Sequence, residues 1–262
     1  MTDKFEKLLS ILREMHSVVL AFSGGVDSTF LLKAVKESGV PHFAITAYSE
    51  TMPESELRCA KEMAEFIGAR HEVIASGELD NPDFTANPRD RCFHCKDGLF
   101  SKLSKIALER GYRCVADGSN LDDLSDWRPG RKAAEKAGVR SPLVEAGLSK
   151  AEIRELSRTM GLPTWAKPAS PCLSSRFPYG VEITRNALKR VETSEEFLRQ
   201  LGFGELRVRS HGDTARLEVR ADELDRLLDR ELRVRIAEHL RALGFKHVAV
   251  DLEGFKSGSL NE

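Results

Sequence analysis

The chain has 262 residues, with 40 lysines and arginines against 41 aspartates and glutamates, so its net charge is −1. A near-neutral chain has no overall field that would attract nucleic acid or an anionic membrane. Residues 1–7 are too charged for a signal peptide, and no apolar run approaches the roughly 20 residues of a membrane span. We therefore expect a cytoplasmic protein, which at this length divides into one large and one small domain.

The first predicted strand, residues 18–22, leads into a glycine-containing turn and then a helix over residues 29–36. The glycines allow backbone angles that are closed to other residues, the serines add hydroxyl donors, and a helix N terminus attracts anions. An ordinary glycine turn capped by Asp27 or Ser28 is the alternative. The pattern favours a nucleotide site, and its predicted residues are Ser23, Gly24, Gly25, Asp27 and Ser28.

The order of residues in this turn, SGGVDS, narrows the class of nucleotide site. A Walker loop would end in Lys-Ser or Lys-Thr, and a dinucleotide fold would carry G-x-G-x-x-G; neither is present. The turn resembles the pyrophosphate loop, or PP-loop, of the ATP pyrophosphatases. That resemblance implies cleavage of ATP between its α and β phosphates and transfer of AMP to a carboxylate or carbonyl oxygen.

Strand-like and helix-like segments continue to alternate, which predicts an α/β fold: a parallel sheet with helices on both faces. The predicted strands are 42–48, 71–75 and 113–117, and the predicted helices are 54–67 (ended by Gly68), 96–108, and one opened by a capping box at Ser149 and Glu152. Residues 81–88 are predicted to be an irregular loop. We assign residues 1–178 to this PP-loop domain.

Ligands collect at the carboxyl ends of parallel strands, so the turns after the strands are candidate sites. We expect Ala47, Gly118 and Asn120 to contribute to the ATP site. Asp122 and Asp123 place carboxylate oxygens near the expected phosphates, which suits magnesium; a solvated acidic loop is the alternative.

Residues 179–262 predict a small α+β domain for substrate binding or oligomerisation. It contains a helix over 184–201, strands at 205–209 and 215–220 joined by the loop 211–213, a long helix, and a strand at 247–251. Strand alternation projects Arg207 and Arg209 from one face while Val208 points to the core. Two such arginines can clamp a phosphate, or can simply form a charged outer face.

The five cysteines argue against a disulfide framework, because their number is odd and the chain has no export signal. Cys59 lies in a predicted helix and Cys114 in a predicted strand, and we assign both to the core. Cys92 and Cys95 form a CxxC motif just before a predicted helix, and Cys172 lies in a polar loop. Three cysteines on two loops suit an iron–sulfur cluster with one open iron, with zinc or free thiols as alternatives.

Five segments together resemble the LarE family of ATP-dependent sulfur transferases. They are SGGVDS, RCFHCKDGLF, GSNLDDLSDWRPGRKAAEKAGVRSPL, LPTWAKPASPCLSSRFPYG and LRVRSHGDTARLEV. The resemblance implies that ATP adenylates a carboxylate of a pyridinium biscarboxylate mononucleotide and that sulfur then replaces AMP, in the synthesis of the nickel-pincer nucleotide cofactor. It also implies a homo-oligomer that acts on a small molecule, with no nucleic-acid or membrane partner.

The resemblance also implies roles for individual residues. Cys172 matches the sulfur-donating cysteine, which in one branch of the family gives up its own sulfur. Cys92 and Cys95 match a three-cysteine branch that resembles a carrier of a 4Fe-4S cluster, with cysteine desulfurase or free sulfide as sulfur donor. The implied cofactors are thus ATP, magnesium and the cluster. The resemblance further assigns Asp27 and Arg176 to catalysis, with a structural ion pair as the alternative for Arg176. It assigns four residues to substrate binding: Arg207, Arg209, Trp127 and Arg128. Loop packing is the alternative for Trp127.

Two other functions use the same features. A tRNA thiolase combines this nucleotide loop with three cysteines, but such enzymes usually add RNA-binding modules and a basic face, which this chain lacks. A nucleotide-binding module whose cluster only senses redox state would not be an enzyme. Pyrophosphate release distinguishes the three hypotheses.

Overall fold

The computed structural model describes residues 3–124 and 129–256. The chain forms two units, each described by itself below. The first unit comprises Met1–Phe84 and Arg89–Ser170, and the second comprises Thr85–Pro88 and Pro171–Glu262.

A sheet of four parallel strands organises the first unit and confirms the predicted fold class. Its strands are β1 (Val18–Ala21), β2 (His42–Tyr48), β3 (His71–Ala75) and β4 (Cys114–Ala116). The strand order is β3-β2-β1-β4, and Leu20 of β1 pairs with Ala44 of β2 and Ala116 of β4. The chain builds outward from β1 to β3 and then returns to the other side of β1. This reversal creates a crevice between the carboxyl ends of β1 and β4, where open α/β sheets bind ligands.

Helices cover both faces of this sheet, which explains why its strands are apolar throughout rather than alternating. Val18 and Leu20 contribute to one hydrophobic cluster, whereas Val19, Phe43 and Ile45 contribute to another on the opposite face. The helices up to residue 170 are α1 (Asp3–Glu14), α2 (Val26–Ser38), α3 (Glu54–Ile67), α4 (Pro82–Thr85), α5 (Arg91–Glu109), α6 (Gly130–Lys136), α7 (Pro142–Ala146) and α8 (Lys150–Thr159).

Local signals in the sequence correctly predict several helix ends. The capping box of α8 is present, because Ser149 Oγ accepts from the Glu152 amide while Glu152 accepts from the Ser149 amide. Such caps stabilise a helix by about 1 kcal/mol. Gly68 ends α3 with a left-handed φ of 67°. Two boundaries were predicted wrongly: the helix expected from residue 96 begins at Arg91, and the expected loop 81–88 contains α4.

The second unit contains a three-stranded sheet packed against helices. Its elements are α9 (Arg185–Gln200), β5 (Leu206–His211), β6 (Thr214–Val219), α10 (Leu224–Leu227), α11 (Arg230–Ala242) and β7 (His247–Val250). β5 pairs with β6 in an antiparallel hairpin, and β7 adds to β6 in parallel. Val208, Leu217 and Leu240 lie in the core of this unit. His211 belongs to β5, so the predicted loop 211–213 is shorter by one residue. None of the helices in the described ranges is long and apolar enough to cross a bilayer.

Candidate active site

The turn after β1 is built around backbone groups that suit an anion. Gly24 adopts a left-handed φ of 70°, and Gly25 is the N-cap of α2, which no side chain caps. Ser23 and Ser28 place their hydroxyl oxygens 3.1 Å apart beside this turn. The first amide groups of an uncapped helix carry partial positive charge and point outward. The turn can therefore hold a phosphate, as the sequence predicts.

Glycine at position 24 is also required by packing against α3. A Cβ on Gly24 would lie 2.6 Å from Ala60 Cα, which is far inside van der Waals contact. The turn after β4 lies close to the same loop, since a Cβ on Gly118 would be 3.0 Å from the Ser28 amide nitrogen. The structure thus brings the turns after β1 and β4 together at the crevice described above.

Buried hydrogen bonds hold Phe22, the residue that directly precedes this turn. Thr46 Oγ1 donates to the Phe22 carbonyl at 2.7 Å and lies 2.8 Å from His71 Nε2. A hydroxyl has a single proton, which Thr46 directs at the Phe22 carbonyl, so His71 donates from Nε2 to Thr46. Burial, assisted by the Lys61 charge, lowers the pKa of His71. The next residue along β2, Ala47, is half-buried.

Asp27, in the first turn of α2, forms an ion pair that the sequence did not reveal. Lys150 Nζ lies 2.5 Å from Asp27 Oδ2, whereas Asp27 Oδ1 is buried with no hydrogen-bond partner among the described residues. Lys150 directly follows the Ser149 cap of α8 and lies 123 residues after Asp27 in the sequence. A buried carboxylate oxygen without a partner beside a phosphate-binding turn can accept a cation.

The acidic turn after β4 is tied into the fold by its own hydrogen bonds. Asp122 Oδ2 accepts from the Lys150 amide at 2.9 Å, and Asp123 Oδ2 accepts from the Asn120 amide at 3.0 Å. Asn120 and Asp123 are buried, and Asp122 is exposed. Trp127 and Arg128 lie outside the described residues.

The cysteines occupy three settings. Cys92 and Cys95 lie within the first turns of α5 rather than in a preceding loop, and their spacing puts them on one helix face. Cys172 lies in the second unit, just before the short 3-10 helix Leu173–Arg176. None of the three forms a disulfide, and within residues 3–124 and 129–256 no three or more histidine, cysteine or acidic side chains are grouped to hold a metal.

The two cysteines assigned to the core do pack against it, but Cys59 has a further role. Both are partly buried beside the main hydrophobic cluster of the first unit. Cys114 Sγ donates to the Met15 carbonyl at 3.7 Å. Cys59 Sγ instead lies 3.0 Å from Lys167 Nζ and 3.7 Å from the Gly24 carbonyl of the nucleotide turn.

Arg176 is the largest fully buried side chain in the second unit. Its guanidinium forms a two-bond fork with Glu195, at 2.8 and 3.1 Å, and both side chains are at most 1% exposed. The remaining nitrogen donates to the Pro171 and Cys172 carbonyls at 2.9 and 3.2 Å. Although burial opposes ionisation, the Arg176 charge and hydrogen bond keep the pKa of Glu195 below its ordinary value. Arg176 thus fixes the backbone around Cys172.

Arg207 and Arg209 lie on the same strand, β5, with different partners. Arg209 is buried, forms a two-bond fork with Glu218 at 2.8 and 3.0 Å, and donates to the Ser175 carbonyl at 2.7 Å. Arg207 lies 4.8 Å from the Phe255 ring centre, and no carboxylate of the described residues forms an ion pair with it. Burial and the nearby Arg176 charge lower the pKa of Arg207 to about 10. A guanidinium with no ion-pair partner among the described residues is suited to bind an anion.

Comparisons with known proteins find relatives over the full length of the chain. The chain is 44% identical over 260 residues to an uncharacterised protein of Synechocystis, covering 99% of this chain and 97% of that protein. It is 37% identical over 264 residues to the pyridinium-3,5-bisthiocarboxylic acid mononucleotide synthase of Lactiplantibacillus plantarum, covering 100% and 95%. It is 25% identical over 158 residues to a probable tRNA sulfurtransferase of Methanothermobacter thermautotrophicus, covering 55% and 40%. No family model matches the chain.

Proposed function

The chain belongs to the LarE family of ATP-dependent sulfur transferases, and we propose that it thiolates a pyridinium biscarboxylate mononucleotide for nickel-pincer cofactor synthesis. In the proposed reaction a substrate carboxylate oxygen attacks the α-phosphorus of ATP, and pyrophosphate leaves. A sulfur nucleophile then attacks the acyl carbon of the adenylate, and AMP departs with the original carboxylate oxygen. Adenylation is needed because a carboxylate does not otherwise release an oxygen as leaving group.

The observation that carries this proposal is the uncapped N terminus of α2 behind Gly24 and Gly25, at the crevice of the sheet. Its amide groups stabilise the negative charge that develops on departing pyrophosphate. Lys150 adds a positive charge beside the turn, and Asp27 Oδ1 is available to the magnesium that accompanies ATP. Asp122 and Asp123 stay predictions as further magnesium ligands. The proposed ATP contacts are Ser23, Gly24, Gly25, Ser28, Ala47, Gly118 and Asn120.

We assign the mononucleotide phosphate to the arginines of β5. Arg207 is the primary anion-binding group because no described carboxylate neutralises it, whereas the Glu218 fork orients Arg209. Arg176 acts through the backbone of Cys172, whose carbonyl it holds. Trp127 and Arg128 remain predicted to line the substrate pocket.

For the sulfur step we propose that Cys92, Cys95 and Cys172 ligate a 4Fe-4S cluster. Thiolates are the usual ligands of such clusters, and Cys92 and Cys95 share one face of α5. When bound, a cluster with one open iron would carry the transferable sulfur, replenished by cysteine desulfurase or free sulfide. The competing hypothesis is that Cys172 itself donates its sulfur, once per chain. A homo-oligomeric state also stays a prediction.

Pyrophosphate release tests the reaction. With ATP and magnesium, pyrophosphate should appear only when the pyridinium biscarboxylate mononucleotide is added. Release that depends instead on tRNA would favour the tRNA thiolase, and no release with either would favour a nucleotide-binding sensor.

Iron content and turnover test the cluster. Anaerobically purified protein should be brown and contain about four iron atoms per chain. Cys92→Ser should abolish multiple turnover, whereas the control Cys114→Ser, outside the proposed ligand set, should not. Iron-free protein, or a Cys92→Ser variant with full multiple turnover, would contradict the proposal.

A further inference from the structure

Lys167 connects three groups around the nucleotide turn. Its ammonium lies 2.8 Å from Glu56 Oε2, 3.0 Å from Cys59 Sγ and 3.3 Å from the Gly24 carbonyl oxygen. The lysine and glutamate side chains are each only 18% exposed, so this is a largely desolvated contact rather than a surface ion pair. We infer that Lys167 is a positioning residue for ATP, which holds the Gly24 peptide in the orientation that binds phosphate.

The peptide between Gly24 and Gly25 is held through its carbonyl. In a trans peptide the carbonyl and the following amide point in opposite directions. Lys167 and Cys59 both direct donors at the Gly24 carbonyl, at 3.3 and 3.7 Å. Holding that carbonyl toward α3 therefore holds the Gly25 N–H on the other side of the peptide. Because glycine has little intrinsic backbone preference, this orientation needs an external anchor.

Lys167 keeps its positive charge in this partly buried site. Although burial opposes the charged form, hydrogen bonds to Glu56 and Cys59 raise the pKa of Lys167 above its ordinary value. The ammonium is thus retained in a site of reduced solvent, where hydrogen bonds from charged donors are stronger than neutral ones. Glu56 orients this ammonium and offsets its desolvation.

The chain segment that carries Lys167 is anchored to α8. Arg154 of α8 donates to the Trp165 carbonyl at 2.6 Å and to the Lys167 carbonyl at 2.8 Å. The backbone of Lys167 is therefore anchored independently of its side chain. Replacing the side chain should disturb the Gly24 contact more than the path of the chain. Lys167 also precedes Cys172 by five residues in the sequence.

The test rests on the proposed use of ATP and measures nucleotide binding directly. Titration calorimetry with a non-hydrolysable ATP analogue and magnesium should show about tenfold weaker binding for Lys167→Met than for the wild type. Lys167→Arg, which keeps a charged donor, should recover part of that loss. Cys59→Ala, which removes the weaker donor to the same carbonyl, should weaken binding by about twofold to fivefold.

The matched control is Lys36→Met. Lys36 of α2 also donates to backbone carbonyls, those of Ile67 and Gly68 at the end of α3, away from the turn. It should leave analogue affinity unchanged even where it lowers the unfolding midpoint. If Lys167→Met binds the analogue as tightly as the wild type, the inference is overturned. If the wild type itself binds no analogue, the proposed function fails. That outcome differs from equal, measurable binding by the wild type and Lys167→Met, which overturns the role of Lys167 alone.

Discussion

The nucleotide turn of the first unit and the arginine cluster of the second unit present charge to anions in opposite ways. The turn relies on the backbone amides at the N terminus of α2, which has no side-chain cap among the described residues, with Lys150 and Asp27 beside them. The cluster, formed by Arg176, Arg199, Arg207 and Arg209, relies on guanidinium groups, of which Arg176 and Arg209 are buried and the other two are partly exposed. Glu195 pairs with Arg176 and Arg199, and Glu218 pairs with Arg209.

The two regions differ in whether the groups that attract an anion also need partners for the fold to be stable. Backbone amides need no countercharge, so the turn can form without a bound phosphate at little cost in folding free energy. Buried guanidinium groups must be neutralised, and each carboxylate that does so is a structural requirement. Arg207, which has no such carboxylate among the described residues, is the position where folding and anion binding are expected to conflict.

The largest expected effect comes from breaking the Arg176–Glu195 pair. Glu195→Gln leaves Arg176 buried without its carboxylate, which typically costs about 3–5 kcal/mol in free energy of unfolding. Denaturant unfolding measures this loss. The control Glu196→Gln alters an exposed neighbour 3.8 Å from Arg199 and should change stability by less than about 1 kcal/mol. Equal losses in the two variants would show that Glu195 is not a structural centre of the cluster.

The next comparison separates the two arginines of β5. Arg209→Met removes one of the two described ion-pair partners of the buried Glu218 and leaves Arg216 as the other. This loss should lower the free energy of unfolding by about 3 kcal/mol. Arg207→Met removes a charge that neighbouring guanidinium groups repel, so stability should stay the same or rise while affinity for the substrate phosphate falls. Denaturation and binding of the mononucleotide are measured on both variants. A large stability loss in Arg207→Met would contradict our interpretation of this side chain.

A smaller effect is expected at the nucleotide turn. Gly24→Ala introduces a Cβ against Ala60 at a left-handed φ, and strain of about 1–3 kcal/mol should appear as at least a several-fold loss of ATP-analogue affinity. Gly39→Ala is the matched control, because Gly39 also has a left-handed φ, of 76°, but lies at the other end of α2, where an added Cβ would meet nothing within 4 Å. Calorimetry compares the two. Similar affinities would show that the close approach of α3 does not govern the turn.

The smallest effect is a pH dependence of folding at His71. Its pKa is lowered in the folded state from an ordinary value of 6.5, so acidification protonates the unfolded chain first. The stability contribution is therefore complete above about pH 6.5 and is lost as the pH falls toward the lowered folded-state pKa. His71→Gln, which keeps a donor for Thr46, should flatten the unfolding free energy between pH 7.5 and 5.5. An unchanged profile would exclude His71 as the titrating group.

Much of the fold follows from short segments of sequence. The apolar strands, the Ser149 and Glu152 capping box and the glycine that ends α3 are each read within a few neighbouring residues, and all are confirmed. The start of α5 was missed because Cys92-Phe93-His94-Cys95 shows no clear helical periodicity. The assignment of Cys59 to the core was incomplete, because nothing near it in sequence indicates a lysine 108 residues away.

The strand, glycine turn and helix start at SGGVDS could be predicted from neighbouring residues alone, because local backbone preferences govern such a turn. The partners of the charged groups became visible only in the folded chain: Lys150 for Asp27, Lys167 for Gly24, and Glu195 for Arg176. Such pairs form where the folded chain returns to the same place, and their geometry depends on packing of whole helices and strands. That is why the loop could be recognised in advance and the ion pairs that support it could not.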